Sequence, residues 1–159
     1  MDLVHVLAVW LHTLALVIVL GYYGILGRVV LPALERSLEC PTQVSTLLAI
    51  ERRALPFIVL SMALFAVTGV YLLVIDPAYA GLGNVLASTW TTLMLIKHVL
   101  VIVVVGLAIY VDRSIRHAGV ASGDEARHAA LRRVALSAEA ATGIGALTIL
   151  LTAAAQVIA

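Results

Sequence analysis

Residues 92–110 read TLMLIKHVLVIVVVGLAIY. From Leu95 to Tyr110, thirteen of sixteen residues are aliphatic, glycine or alanine. Such a run crosses a membrane as a helix. Lipid offers no partner to backbone N–H and C=O groups, and about 20 residues at 1.5 Å each span the hydrocarbon core. Lys97 and His98 interrupt the run, side by side. Ionisable groups are costly there, and chains that keep them usually turn them toward neighbouring helices or a functional cavity.

The rest of the chain repeats this pattern. Of its 159 residues, 63% are hydrophobic and only 12% charged, and the mean hydropathy is +1.12. A soluble domain is nearer half apolar and a quarter charged. Soluble-enzyme and nucleic-acid-binding readings therefore lose their basis, and membrane lipid becomes the first expected partner. The single cysteine, Cys40, excludes an internal disulfide.

Four helices are expected, at about 3–34, 46–75, 87–115 and 124–158, in one domain covering 1–159. Pro32 and Pro41 bracket the first connection. The stretch DPAYAGLGN, residues 76–84, makes the second, and Gly123-Asp124-Glu125 marks the start of the fourth helix. The fold class is an all-α, up-down-up-down membrane four-helix bundle. The first apolar run has no preceding Lys or Arg and no clean cleavage site, so it is expected to remain as a span.

Nine of the ten Lys and Arg residues flank two connections. Arg28, Arg36, Arg52 and Arg53 lie around the first, and Arg113, Arg116, Arg127, Arg132 and Arg133 around the third. Basic connections stay cytoplasmic, so both termini are expected outside. Trp10, Trp90, Tyr71 and Tyr79 then fall toward the outer ends as interface anchors. Glu139, inside the fourth helix, is expected to pair with an arginine of a neighbouring helix, with proton relay as the sharper alternative.

The tenth basic residue is Lys97. It lies two to three turns in from the outer end of its helix, roughly 10–14 Å along the axis. His12 of the first helix lies at a similar depth, so His12 and His98 reach one level on two helices. Facing imidazoles in an apolar bundle are suited to axial ligation of haem b, the alternative being that a histidine simply hydrogen-bonds to a neighbouring helix. Lys97 would balance a haem propionate, act as an alternate ligand or snorkel to the surface. His5, seven residues before His12, reads as interfacial with a second ligand role open; His117 and His128 read as solvated. Copper is the alternative cargo, with Met94 one turn before His98 and Met62 on the second helix, although a methionine in a bundle is usually gap filler. Gly21, Gly24 and Gly27, with Gly69, Gly143 and Gly145, read chiefly as close-packing positions.

The stretch HTLALVIVLGYYGILGR resembles the first helix of the HemJ-type membrane proteins, with His12, the Gly-aromatic stretch and Arg28. Similar resemblances follow in ERRALPFIVLSMALFAVTGVYLL (Glu51, Arg52, Arg53), LIKHVLVIVVVGLAIYVDR (Lys97, Arg113) and SAEAATGIGALTILL (Glu139). The pattern is also similar to the CopD copper-resistance domain in its first helix, in Thr68-Gly69 and in the lysine of the third helix. The first resemblance implies haem b bound through a histidine, with Lys97 and Arg28 as further cofactor contacts, and a protoporphyrinogen oxidase-like activity. The second implies copper uptake or resistance. His98 is additional to the HemJ-type pattern and makes bis-histidine ligation available. The combined expectation is a haem b redox protein serving a quinone, a porphyrin or a partner membrane complex. A non-catalytic accessory subunit, docking in a larger assembly or a homo-oligomer, is the reading from a different class.

Overall fold

The computed structural model describes residues 3–77, 79, 81 and 88–158, with the side chain of Ile158 excepted. Four long helices make up the fold: α1 (Leu3–Ser37), α2 (Cys40–Ile75), α3 (Thr89–Val120) and α4 (Asp124–Ile158). All four are long and apolar enough to cross a membrane. Val17, Phe57, Val67, Ile102 and Leu150 point outward from every side of the bundle. In water such a belt would be a liability; against acyl chains it costs nothing.

Local chemistry explains the helix boundaries. α1 is continuous through a π-helical turn at Leu26–Val30, where the Leu31 N–H bonds to the Leu26 carbonyl. Pro32 has no N–H to offer the preceding turn, and the wider turn lets the helix pass it. α2 begins at Cys40, six residues earlier than expected, because Pro41 sits in its first turn rather than ahead of it. Pro56 lies inside α2 without ending it. α3 begins at Thr89, two residues later than expected. The Ser88 hydroxyl accepts the Thr91 N–H at 3.2 Å and the Thr91 hydroxyl accepts the Ser88 N–H at 3.0 Å. It also runs to Val120, five residues further than expected. Gly123, at φ +97°, provides the left-handed step before α4. Most of the expected 76–84 connection, and the proposed start of the third helix at Ala87, lie outside the described residues.

Only Leu38 and Glu39 separate α1 from α2, and only Ala121 to Gly123 separate α3 from α4. Each pair therefore packs as a tight antiparallel hairpin, and the hairpins are joined at the same end, here called the basic end. α1 adjoins α2 and α4, and α3 adjoins α4 and α2. α1 and α3 thus stand on one diagonal.

The core is concentrated at the basic end. Tyr23, Leu26, Leu47, Val111, Ile115, Val134 and Ala138 are fully or almost fully buried in one cluster. Helix 1 approaches α4 through small residues, Gly24 against Thr142 and Gly27 against Ala138 and Glu139. Toward the termini small and polar residues, Ala8, Ala15, Ser61, Thr68, Thr148 and Ala155, share the buried positions with Val19, Trp90 and Val104. Packing there leaves space, and His12, Lys97 and His98 lie in that half.

Candidate cofactor site

His12 is held almost entirely by α2. Its ring stacks on Phe65 with centroids 4.0 Å apart and planes 22° apart. Its Nδ1 lies 3.0 Å from the Thr68 hydroxyl oxygen. The Thr68 proton is already directed to the Leu64 carbonyl at 2.6 Å, so the oxygen accepts from His12. Gly69 completes the seat: a Cβ there would stand 3.1 Å from His12 Cε1. The Nδ1–H assignment leaves the Nε2 lone pair unused.

His98 reaches the same state by a local route. Its Nδ1 lies 2.6 Å from the carbonyl of Met94, one turn back on α3. A carbonyl only accepts, so Nδ1 carries the proton and Nε2 again presents a lone pair. Pinning one ring nitrogen in this way orients an imidazole for ligation through the other. Lys97 and His98 both lie within electrostatic reach of the His12 ring. The three residues thus form one tier, contributed by the two diagonal helices.

Beneath this tier lies a small apolar cavity of about 80 Å³. Every helix lines it: Leu16 and Leu20 from α1, Met62 and Phe65 from α2, Val101 and Val104 from α3, Gly145 and Thr148 from α4. Phe65 joins the two features, since it forms a cavity wall and supports the His12 ring. His98 faces a second pocket of about 260 Å³, nearer the terminal end, with Trp90, Met94, Leu73 and Tyr79. Trp90 is buried there rather than lying at the surface as an anchor; Trp10 is exposed.

The other expected site residues are dispersed. Arg28 is exposed within the π-helical turn, 16 residues along α1 from His12. That is about 24 Å along the axis, too far to share a compact cofactor seat with the histidines. Met62 lies six residues before Thr68 on α2, about 9 Å deeper, so it shares the cavity but not the tier of His98. Met94 gives its carbonyl to His98. His5 is exposed, one heptad nearer the end of α1. Among the described residues, no three of His, Cys, Asp and Glu gather as a metal cluster.

The carboxylates correct another expectation. Among the described residues the ion pairs are Asp112–Arg116 and Asp124–Arg127, each within one helix. Glu139 is exposed, with its stem packed over Gly27, and pairs with no arginine. Glu51 is the buried carboxylate, 6% exposed, and accepts the Tyr22 hydroxyl proton across the α1–α2 interface. Its neighbours Arg52 and Arg53 project away and are exposed. Successive helical residues turn by about 100°, so adjacent side chains do not share a face.

The Thr68-Gly69 pair was visible in the sequence, but its service to His12 was not. The contact spans 56 positions and depends on how α1 lies against α2. Tyr22 and Glu51, 29 positions apart, were likewise missed as partners. Comparison of the chain with protein-family models, with curated proteins and with solved structures gives no match.

Proposed function

We propose that this bundle is a haem b-binding membrane redox protein, with His12 and His98 as the imidazole donors and Lys97 beside them. The observation that carries the reading is the shared setting of the two rings: each has Nδ1 at hydrogen-bond distance from a protein oxygen, which makes Nε2 the nitrogen available for ligation. The donor chemistry fits iron, and the cavity below the tier is lined by apolar side chains as a flat, greasy macrocycle requires; at about 80 Å³ it is smaller than that macrocycle, so the helices must part to admit one. The reading keeps both termini outside and the basic connections cytoplasmic, which puts the site in the outer half of the membrane.

His12 and His98 would hold the haem, which when bound would supply one-electron transfer rather than oxygen activation. The protein's own contributions are separable. Thr68 and the Met94 carbonyl hold the tautomers, Phe65 and Gly69 hold the His12 ring plane, and Lys97 supplies a cationic end near any acidic substituent. The exchange partner would be a quinone, a porphyrin or another membrane complex. The HemJ-type resemblance supports haem; a protoporphyrinogen oxidase-like reaction is its enzymatic form.

The deciding measurement is a reduced-minus-oxidised spectrum of the purified protein. Sharp reduced-haem bands that are lost or converted in both His12→Ala and His98→Ala are expected. A colourless preparation retaining copper would move the assignment to the CopD-like alternative. Retention of neither would favour an accessory subunit.

A further inference from the structure

A pocket at the basic end is unrelated to the histidine tier. It holds about 420 Å³ and lies between the end of α1, the start of α2 and the first turns of α4. Leu34 and Leu131 form an apolar part, and Glu35, Gln43, His128 and Arg132 a polar one. His128 and Arg132 are four residues apart on α4, so they share one face of that helix. Gln43 is 5% exposed and bonds through Nε2 to the Leu38 carbonyl at 2.6 Å, which braces the tight α1–α2 turn forming a wall.

Glu35 and Arg132 line the same pocket yet form no ion pair. Both, with His128, are exposed at its rim, and a cation and an anion held apart there complement a ligand carrying both charges. The leucines add that this ligand has an apolar part. The position suits a lipid: past Arg133, α4 carries one ionisable residue, Glu139, in its remaining 25 positions. Arg132 therefore stands at the edge of the apolar stretch, at headgroup level. Basic pockets between membrane helices are known headgroup-binding features.

We propose that this pocket binds a membrane phospholipid bearing a primary ammonium, of the phosphatidylethanolamine class. Arg132 and an imidazole N–H of His128 donate to the phosphate. Glu35 accepts from the ammonium, and the acyl chains leave along Leu34 and Leu131. Phosphatidylcholine has no N–H for Glu35. Phosphatidylglycerol brings a net negative charge and sets a neutral glycerol against that carboxylate.

The test is lipid selection by the full chain. The protein is incorporated into vesicles holding equal parts phosphatidylethanolamine, phosphatidylglycerol and phosphatidylcholine, extracted in mild detergent and weighed by native mass spectrometry. One phosphatidylethanolamine should be retained in preference to the other two. R132Q should lower its retention about tenfold, the scale of one charge-assisted hydrogen-bond contact. E35Q should keep a bound lipid but lose the preference for phosphatidylethanolamine over phosphatidylcholine. Soluble phosphoethanolamine should not displace the lipid, because it leaves the leucines uncovered. Equal or better retention of phosphatidylglycerol or phosphatidylcholine by the native chain overturns the proposal. So does displacement by the soluble headgroup. If R132Q does not fold, E35Q decides: unchanged selectivity sinks the assignment.

Discussion

Thr68 of α2 accepts the Nδ1 proton of His12 of α1 at 3.0 Å while giving its own proton to the Leu64 carbonyl at 2.6 Å. A hydroxyl that would otherwise only bond back to its own helix thereby sets the tautomer of a histidine on another one. Thr142, Thr148 and Thr152 of α4 show the default, each bonding only to a carbonyl one turn back.

Thr68→Val keeps the shape and removes the acceptor. A hydrogen bond between membrane helices is worth about 0.6 kcal/mol on average and up to about 1.7. Unfolding in mixed micelles should show a loss in that range, and Thr68→Ser should restore it. In haem-loaded protein the valine variant should shift the spectrum or potential rather than abolish binding. Total loss of haem would mean that Thr68 does more than position the ring.

Gly69 is open to a graded test. A Cβ would meet His12 Cε1 at 3.1 Å, so alanine asks the ring to move a few tenths of an ångström. The gain from replacing a helical glycine, up to about 1 kcal/mol, should offset that strain. Gly69→Ala is therefore expected near neutral and Gly69→Val destabilised by about 1–3 kcal/mol. Equal stability of the two in micelle unfolding would show that His12 is not seated on Gly69.

Leu20 and Gly145 meet at the wall of the central cavity. A Cβ on Gly145 would come within 2.0 Å of Leu20 Cδ2, the far end of a flexible side chain. Gly145→Ala must turn Leu20 into the cavity; with Leu20→Ala the clash is gone. A double-mutant cycle should give a coupling above about 0.5 kcal/mol, the limit within which independent sites add. Additivity within that limit would place the two residues apart.

Tyr22→Phe and Glu51→Gln should differ. The first leaves a buried carboxylate without its donor, at a cost of about 1–3 kcal/mol. The second keeps a carbonyl oxygen that accepts the Tyr22 proton, so it should be milder. Micelle unfolding of both variants checks the order, and a reversal would mean that Glu51 has a stronger partner than Tyr22.

Lys97→Met tests the cation of the tier. If the bundle holds haem as proposed, a positive charge near it favours the reduced form, so removing that charge should lower the midpoint potential. At about 10 Å and an effective dielectric of about 20 the interaction is about 1–2 kcal/mol, or tens of millivolts for one electron. An unchanged potential would show that Lys97 turns away to the membrane surface.

The fold was legible because hydrocarbon restricts the choices. Once a run like 92–110 must satisfy its own backbone, a helix follows, and four such runs with short connections make a bundle. The errors in helix ends came from proline and serine chemistry, at Pro41 and Ser88, whose effect depends on which side of the boundary the residue falls. Of the proposed site, counting residues along the helices places His12 and His98 at a similar height, since rise per residue is nearly constant along a helix. It also carried the four apolar spans and the clustering of arginines at one end.

Tertiary structure alone decided which face each side chain found. It put α1 and α3 on a diagonal, gave His12 to Phe65, Thr68 and Gly69, and turned Glu51 rather than Glu139 into the buried carboxylate. It also left a small cavity beneath the histidines, where Leu16, Leu20, Met62 and Phe65 do not fill the space between the four helices. Periodicity fixes height along an axis. Rotation about that axis, and hence every contact between helices, is set by packing among residues far apart in the chain.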